Sequence, residues 1–483
     1  MNNAGEIKSI LSTLYILAVV LTVVVIIYDR RDTAKALAWI LVVSLVPFAG
    51  IALYILFGRN HRKQKIFNRK LIKDLQQIEA LSIRQLESLN DDNSIQHDHI
   101  IRNRDIITLL LNSNKTLLTT RNRVEILNNG DQTFNAIIEA LSAAKESIHI
   151  EYYIFEDDNI GTRIGEILME KARSGVEVRF IYDDVGSWNL SRNFISRLRK
   201  AGVEVRGFMP VVFPWLTSRI NYRNHRKIVV VDGKVGFTGG LNIADRYTDT
   251  KGKKAWRDTH LRLEGDVVMM LQTVFVTDWF FVSKQEMLND IKYFPRNEVE
   301  GFVPVQIASS GPDSDWASIM QAYFAAITRA RDHIYICSPY FLPNNAIQTA
   351  LRVASLSGVD VRIMLPSYSD HKLVFWATSS YISDMLKAGV KVYRYYRGFN
   401  HSKLLMIDGE FCAIGTANMD IRSFEDNFEV SAIIYDPDFT AELEAIFLDD
   451  LRSSRQINPR KWDKRPRYQQ FIEALSSLLS PLL

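Results

Sequence analysis

Hydrophobic and polar residues form successive patterns along the chain, beginning with two apolar runs near the N-terminus. Residues 9–27 and 36–57 contain no charged side chain, and the short charged segment DRRDTAK separates them. Each run is close to the roughly 20 residues that a helix needs to cross a hydrocarbon core. The pattern predicts a transmembrane helical hairpin within residues 1–58.

A cleaved signal peptide is the alternative for the first run. Lys8 is the only basic residue ahead of it, the run exceeds the usual length of a signal-peptide core, and a second run follows. The flank after the second run is more basic than the loop: Arg59, Arg62, Lys63, Lys65, Arg69 and Lys70, against Arg30, Arg31 and Lys35. Because the flank richer in Lys and Arg stays inside, the larger C-terminal part is predicted to face the cytoplasm.

After the hairpin the pattern changes twice. Residues 59–105 are highly charged and poor in aromatic residues, which predicts a helical or irregular linker. From residue 106 onward, helical segments such as IGTRIGEILMEKARSG alternate with short runs rich in Val, Ile, Phe and Tyr, such as IHIEYYIF and KIVVVDG. This alternation predicts an α/β fold, with a mixed sheet flanked by helices.

The α/β region repeats itself. AAKESIHIEYYIF and NHRKIVVVDGKVGFTGGLN in the first half correspond to RARDHIYICSPYF and NHSKLLMIDGEFCAIGTAN in the second, in the same order. Similarity on this scale indicates two copies of one domain. The prediction is therefore two tandem domains, at residues 106–300 and 301–460, related by a pseudo-twofold axis.

Two further segments are candidates for membrane contact. The stretch RGFMPVVFPWLTSRINYR, at residues 206–223, is apolar and aromatic, and would either touch lipid or pack between domains. Residues 461–483 combine a basic start with an apolar helical segment, which predicts either an interfacial helix or a helix that caps the fold.

Composition excludes several classes of protein. The formal net charge of +4 is small for a nucleic-acid binder of 483 residues. Cys337 and Cys412 lie in apolar runs and lack the paired spacing of a zinc site or a disulfide framework. No carboxylate cluster for Mg²⁺ is apparent, so the sequence predicts neither a metal nor another cofactor.

The strongest chemical signal is a motif that both repeats carry. The first repeat contains His225, Lys227 and Asp232, followed by Asn242, and the second contains His401, Lys403 and Asp408, followed by Asn418. Residues i and i+2 of a strand share a face, so each His-Lys pair should project together. Joining the repeats would bring these side chains into one cleft. Lys and Asn would bind phosphate oxygens, one histidine would attack phosphorus, and the other would act as acid and base.

Four acidic residues near the motifs are expected to have other roles. A nucleophilic imidazole needs an acceptor for its second ring nitrogen. Asp258, downstream of the first motif, and Glu429, downstream of the second, occupy corresponding places and are candidates. Asp232 and Asp408 belong to the candidate catalytic set, but each precedes a glycine, which is typical of a turn, so a structural role is expected first.

At these residues the chain resembles the phospholipase D superfamily, whose mark is a duplicated HxKxxxxD motif, and within it the bacterial cardiolipin synthases. EYYIFEDDNIG, WRDTHLRLEG, SPYFLPN and GTANMDIRSFEDNFE carry the likeness, together with the N-terminal RRDTAKALAWILVVSLVPFAGIALYILFGR. The resemblance implies a multi-pass protein of the bacterial inner (plasma) membrane. It also implies transfer of a phosphatidyl group from one phosphatidylglycerol to another, giving cardiolipin and glycerol, with His225 as nucleophile and His401 as acid and base. The histidine roles could be reversed, since the motifs are nearly symmetric.

Four other functions use or derive from the same motifs. A phospholipase D hydrolase or another phosphatidyltransferase would differ only in the acceptor. A nucleic-acid phosphodiesterase is disfavoured by the apolar runs and the weak net charge, so no nucleic-acid partner is expected. A scaffold without activity would be expected to have lost a motif residue, whereas both motifs are complete. The sequence leaves open whether the chain forms homo-oligomers.

Overall fold

The computed structural model describes residues 3–28, 33–46, 48–55, 71–90, 97–210, 222–248 and 256–480. The described residues divide into two compact units, one within residues 3–55 and the other formed by residues 71–210 and 222–480. Several predictions fall partly outside the described residues: the hairpin at 1–2, 29–32, 47 and 56–58, the linker at 59–70 and 91–96, the apolar segment at 211–221, the first domain also at 249–255, and the C-terminal segment at 481–483.

The N-terminal unit is helical. Its helices are α1 (Asn3–Tyr28), α2 (Thr33–Leu45) and α3 (Ala49–Leu53). Ile26, Val43 and Tyr54 form a small buried cluster, whereas many other large apolar side chains of α1 are exposed. Within the described ranges, no helix combines the length and hydropathy required to span a membrane.

Three helices of the charged segment and its continuation open the second unit. They are α4 (Leu71–Asn90), α5 (Asp98–Arg102) and α6 (Arg104–Asn114). α6 buries Ile107 and Leu110 in the hydrophobic core of the second repeat. Gln85 exchanges hydrogen bonds with the backbone of Leu118, at 2.8 and 2.9 Å. This part of the charged segment is therefore packed onto the α/β fold.

The first repeat contains a mixed sheet of seven strands. The strands of the repeat are β1 (Asn122–Asn128), β2 (Ser147–Tyr152), β3 (Glu177–Asp183), β4 (Glu204–Phe208), β5 (Lys227–Val231), β6 (Val235–Gly239), β7 (Trp256–Arg257) and β8 (Thr259–Gly265), and β7 lies outside this sheet. Its helices are α7 (Asn129–Ala143), α8 (Asn159–Arg173), α9 (Arg192–Lys200) and α10 (Val267–Ser283). The sheet order is β1-β8-β6-β5-β2-β3-β4, in which β2, β3 and β4 run parallel and the other neighbours pair antiparallel.

The second repeat has the same sheet order with one added strand. Its strands are β9 (Val305–Ser310), β10 (His333–Cys337), β11 (Phe341–Leu342), β12 (Asp360–Pro366), β13 (Lys391–Tyr395), β14 (Phe399–Asn400), β15 (Leu404–Ile407), β16 (Phe411–Gly415), β17 (Met419–Asp420), β18 (Glu429–Ile434) and β19 (Ser454–Gln456). Its helices are α11 (Ser318–Arg329), α12 (Asn345–Leu356), α13 (Lys372–Lys387), α14 (Ile421–Glu425), α15 (Pro437–Arg452), α16 (Pro459–Asp463) and α17 (Arg467–Ser477). The order is β9-β18-β16-β15-β10-β12-β13-β19.

Local sequence explains where the helices of both repeats start and stop. Asp158 and Asn344 cap α8 and α12, because each side chain accepts a hydrogen bond from a backbone N–H of the first turn. Both helices end two residues before a glycine, Gly175 or Gly358, whose φ of 96° or 99° suits a residue without Cβ. The prediction of two α/β domains with mixed sheets is confirmed.

Candidate active site between the two repeats

Each histidine motif is held by a backbone segment of the other repeat. The His225 N–H donates to the Phe428 carbonyl at 2.9 Å, just before β18. The His401 N–H donates to the Arg257 carbonyl at 2.7 Å, where β14 pairs with β7. The two contacts correspond to each other with the repeats interchanged. The two motifs therefore meet at one place, as the duplicated pattern predicts.

The carboxylate beside each motif histidine comes from the other repeat. His225 Nδ1 lies 3.0 Å from Glu429 Oε2, and His401 Nδ1 lies 2.8 Å from Asp258 Oδ2. The sequence placed each acidic residue after the motif of its own repeat and gave no reason for an exchange. The structure brings both residues to histidines but pairs each with the motif of the other repeat. Thr416 also donates to Glu429.

Both imidazoles are arranged as neutral rings with a free nucleophilic nitrogen. Burial, with the nearby Lys227, lowers the pKa of His225 to about 4 despite the opposing effect of Glu429. Burial and the charges of Lys403 and Lys227 lower the pKa of His401 well below its usual value. A carboxylate beside each Nδ1 favours the tautomer with the proton on that nitrogen, and in this tautomer Nε2 keeps its lone pair.

The two carboxylates differ in ionisation. Burial raises the pKa of Asp258 to about 6, although Lys403 opposes this. Burial acts in the same direction on Glu429, but contacts with His225, Lys227 and Thr416 outweigh it, and its pKa lies below the ordinary value. Glu429 is therefore the more firmly ionised partner.

Each motif lysine contacts the backbone of the histidine in its own motif. Lys227 Nζ donates to the His225 carbonyl at 2.7 Å, and Lys403 Nζ donates to the His401 carbonyl at 2.5 Å. Burial lowers the pKa of Lys227 to about 7 and that of Lys403 to about 8. An anionic phosphate would offset this effect, because an opposite charge favours the protonated amine.

The two motif asparagines are unequally engaged. Asn242 Oδ1 accepts from the Ile154 N–H at 3.2 Å, and its Nδ2 donates to the Tyr247 hydroxyl at 2.7 Å. Asn418 Oδ1 is buried and has no hydrogen-bond partner among the described residues. Both asparagines line the cavity that holds the histidines.

The motif aspartates lie at the far ends of β5 and β15 and anchor turns. Asp232 and Asp408 both have a φ of 53°, and each begins a tight turn with the glycine that follows. Asp232 accepts hydrogen bonds from the backbone N–H groups of residues 145, 146 and 147, and Asp408 accepts those of residues 331, 332 and 333. Neither residue is among those that line the cleft, so the contacts support the structural role that was expected first, and a catalytic role for either stays a prediction.

The cleft is a cavity of about 270 Å³ with a wall that the motif analysis missed. The additional lining side chains include Tyr153, Arg223, Arg246, Tyr247, Trp256, Tyr340, Asp370, His371, Asp420 and Arg422. One signal could have found two of them, since an arginine follows the motif asparagine by four positions in both repeats. The aromatic and acidic residues have no such signal.

Comparison with known proteins places the chain in a family. Residues 137–275 and 323–451 match the family described as cardiolipin synthase, PLD-like domain, and residues 16–59 match the phospholipase D-nuclease N-terminal family. The cardiolipin synthase of Geobacillus sp. (strain WCH70) is 42% identical over 99% of this chain and 95% of the relative. The major cardiolipin synthase ClsA of Bacillus subtilis (strain 168) is 41% identical over 98% of this chain and 99% of its own length.

A solved structure gives an independent likeness of fold. The phosphatidylserine synthase of Haemophilus influenzae Rd KW20 matches with a TM-score of 0.60 at 14% identity, covering 78% of this chain and 100% of that one. The family match spans both repeats, and the relatives are similar over nearly their whole length. The chain therefore belongs to the cardiolipin synthase family of the phospholipase D superfamily.

Proposed function

We propose that this protein is a cardiolipin synthase that transfers a phosphatidyl group from one phosphatidylglycerol to a second and releases glycerol. The observation that carries the proposal is the pair of crossed contacts, His225 with Glu429 and His401 with Asp258, at one cavity. Two neutral imidazoles on one phosphate site suit a double displacement with a covalent intermediate. The lysines and asparagines would bind the non-bridging oxygens.

In the first half-reaction, His225 Nε2 attacks phosphorus and the bond from phosphorus to the glycerol oxygen breaks. The anionic substrate raises the pKa of His401, which takes up a proton and delivers it to the departing alkoxide. In the second half-reaction, His401 removes the proton from the terminal hydroxyl of the acceptor lipid. The new P–O bond then forms as the P–N bond to His225 breaks.

The choice of His225 as nucleophile has support from charge as well as from resemblance. The imidazole that forms the P–N bond gains positive charge, which an ionised carboxylate at Nδ1 stabilises. Glu429 has a lowered pKa, whereas burial raises that of Asp258. The more firmly ionised carboxylate therefore lies beside His225.

Phosphatidylglycerol alone is expected to be sufficient for turnover. We expect purified protein in phosphatidylglycerol vesicles, without added metal, to form cardiolipin and glycerol in a one-to-one ratio. Lipid chromatography of the products and an enzymatic glycerol assay measure both. A phospholipase D hydrolase would use the same side chains with water as acceptor, and phosphatidic acid as the sole lipid product would favour that alternative.

We further propose that the N-terminal helices cross the bacterial inner membrane as a hairpin, and that residues 106–300 and 301–460 form two cytoplasmic domains that share the transfer site. The exposed apolar side chains of α1 support the anchor. α17 supports a second contact with lipid, because Tyr468, Phe471 and Leu475 are 70%, 69% and 54% exposed. Another face of α17 caps the fold, since Glu473 is buried and paired with Arg465.

Site-directed fluorescence tests both membrane contacts. Cys337 and Cys412 are buried, so a thiol dye will label an introduced cysteine selectively. We expect the dye at Leu17→Cys and Phe471→Cys to be quenched by brominated lipid in reconstituted protein, because both sites would lie in the acyl region. Glu166→Cys, exposed on α8, is the control that should stay unquenched. An unquenched dye at position 471 would mean that α17 only caps the fold.

A further inference from the structure

Two cleft arginines are duplicated with the motifs, although the phosphoryl-transfer chemistry does not use them. Arg246 follows Asn242 by four positions, and Arg422 follows Asn418 by four positions. Both line the same cavity as His225 and His401. The lysines already supply the charge for one phosphate, so the arginines leave the cleft with more cationic groups than one phosphodiester requires.

The two arginines have different aromatic neighbours in the cleft. The guanidinium of Arg246 is over the Trp256 ring at 5.8 Å, and the Trp256 ring is 5.3 Å from that of His401. Burial raises the pKa of the Tyr153 hydroxyl, and Arg422 is close enough to oppose this effect. The Tyr153 ring lies 4.8 Å from the His225 ring. Arg246 therefore belongs to the His401 end.

The contacts of Arg246 hold its guanidinium in place but use only one of its nitrogens. Among the described residues its hydrogen bonding is limited to Nη2, which donates to Glu156 Oε1 at 2.5 Å. Its side chain is 38% exposed. Arg223, also in the cavity wall, differs because it is almost fully buried against Asp183. The ion pair with Glu156 and the Trp256 ring hold the guanidinium in place, and as far as the described part of the chain shows, its other N–H groups are available for an anion.

We propose that Arg246 binds the phosphate of the acceptor phospholipid. This inference rests on the proposed function and adds a second anion subsite to it. His401 removes the proton from the attacking hydroxyl, so the acceptor headgroup must lie at the His401 end. In phosphatidylglycerol, three carbons separate that hydroxyl from the lipid's own phosphate. The acceptor therefore brings a second phosphate beside His401, where the planar guanidinium of Arg246 can bind it bidentately.

The test separates the two half-reactions in the full chain, reconstituted in nanodiscs. Phosphatidyl-4-nitrophenol serves as donor, and nitrophenolate release reports formation of the covalent intermediate. Ethanol is the neutral acceptor and phosphatidylglycerol is the anionic one. We expect Arg246→Gln to keep the nitrophenolate burst and phosphatidylethanol formation within about threefold of the unmodified protein. Cardiolipin formation should fall about 10- to 100-fold, as expected for loss of a charge-assisted hydrogen bond.

Three comparisons make the result specific. Arg246→Lys retains the charge and should recover part of the cardiolipin yield. Arg121→Gln removes an exposed arginine that pairs with Asp266 away from the cavity, and should behave as the unmodified protein does. An equal loss with ethanol and phosphatidylglycerol, no loss with either, or a selective loss in Arg422→Gln instead would overturn the proposal. If the unmodified protein makes no cardiolipin, the proposed function itself fails, which is a distinct outcome.

Discussion

His225→Ala is expected to abolish nitrophenolate release from phosphatidyl-4-nitrophenol, whereas His401→Ala should give a single burst and then stop. The physical reason is the leaving group. Nitrophenolate departs without a proton, so the first half-reaction needs only the nucleophile. The second half-reaction needs a base for the acceptor hydroxyl, and His401→Ala lacks it. Stopped-flow absorbance measures the amplitude of the nitrophenolate burst, which is then compared with the enzyme concentration.

With phosphatidylglycerol as donor, both variants should lose activity. Loss of general acid and base catalysis costs about 10²- to 10⁴-fold, and loss of the nucleophile should leave no enzymatic turnover. With labelled phosphatidyl-4-nitrophenol as donor, lipid should become bound to His401→Ala through an acid-labile P–N bond, and mass spectrometry can place it on His225. His97→Ala, at an exposed histidine, is the matched control. A full burst from His225→Ala together with none from His401→Ala would reverse the two roles.

The crossed carboxylates predict a second large effect that depends on which histidine is present. In the His401→Ala background, Glu429→Gln should slow the burst by about 10²- to 10⁴-fold, as expected when the acceptor that fixes an imidazole tautomer is lost. Asp258→Asn in the same background should leave the burst rate nearly unchanged, because its histidine partner is already absent. Rapid mixing of the two double variants with the activated donor measures the difference.

Thermal unfolding of the same variants provides the control for this comparison. Both substitutions keep the size of the side chain, so similar melting temperatures would show that folding does not account for a difference in rate. The opposite pattern, with Asp258→Asn slow and Glu429→Gln unaffected, would mean that each carboxylate serves the histidine of its own repeat. That result would contradict the contacts seen here.

The duplicated motifs could be predicted from sequence because their information is local. The strand pattern places His225 beside Lys227, and the Asp-Gly pair at residue 232 indicates a turn. The equal order of segments indicates two domains and one shared cleft. The exchange of Asp258 and Glu429 could not be predicted in this way, because position along the chain gives the distance from a motif but not the repeat that faces it.

The docking of α6 could not be predicted for a different physical reason. Ile107 and Leu110 lie at the start of the predicted first domain, but they pack in the hydrophobic core of the second repeat. These two side chains have that partner only once the second repeat has folded. The cleft wall was hidden because residues such as Asp370 and Tyr340 have no chemical signature until the fold brings them together.

Each repeat supplies the backbone contact and the carboxylate that the histidine of the other repeat needs. Neither repeat can therefore complete its own reactive histidine alone. A single repeat could satisfy the same contacts only by pairing with a second copy of itself, since each histidine takes both its backbone partner and its carboxylate from across the boundary. The two repeats are thus arranged as the two subunits of a homodimer would be, within a single chain. In a single chain the two ends need not be identical, and they differ here, with Glu429 beside His225 and Asp258 beside His401.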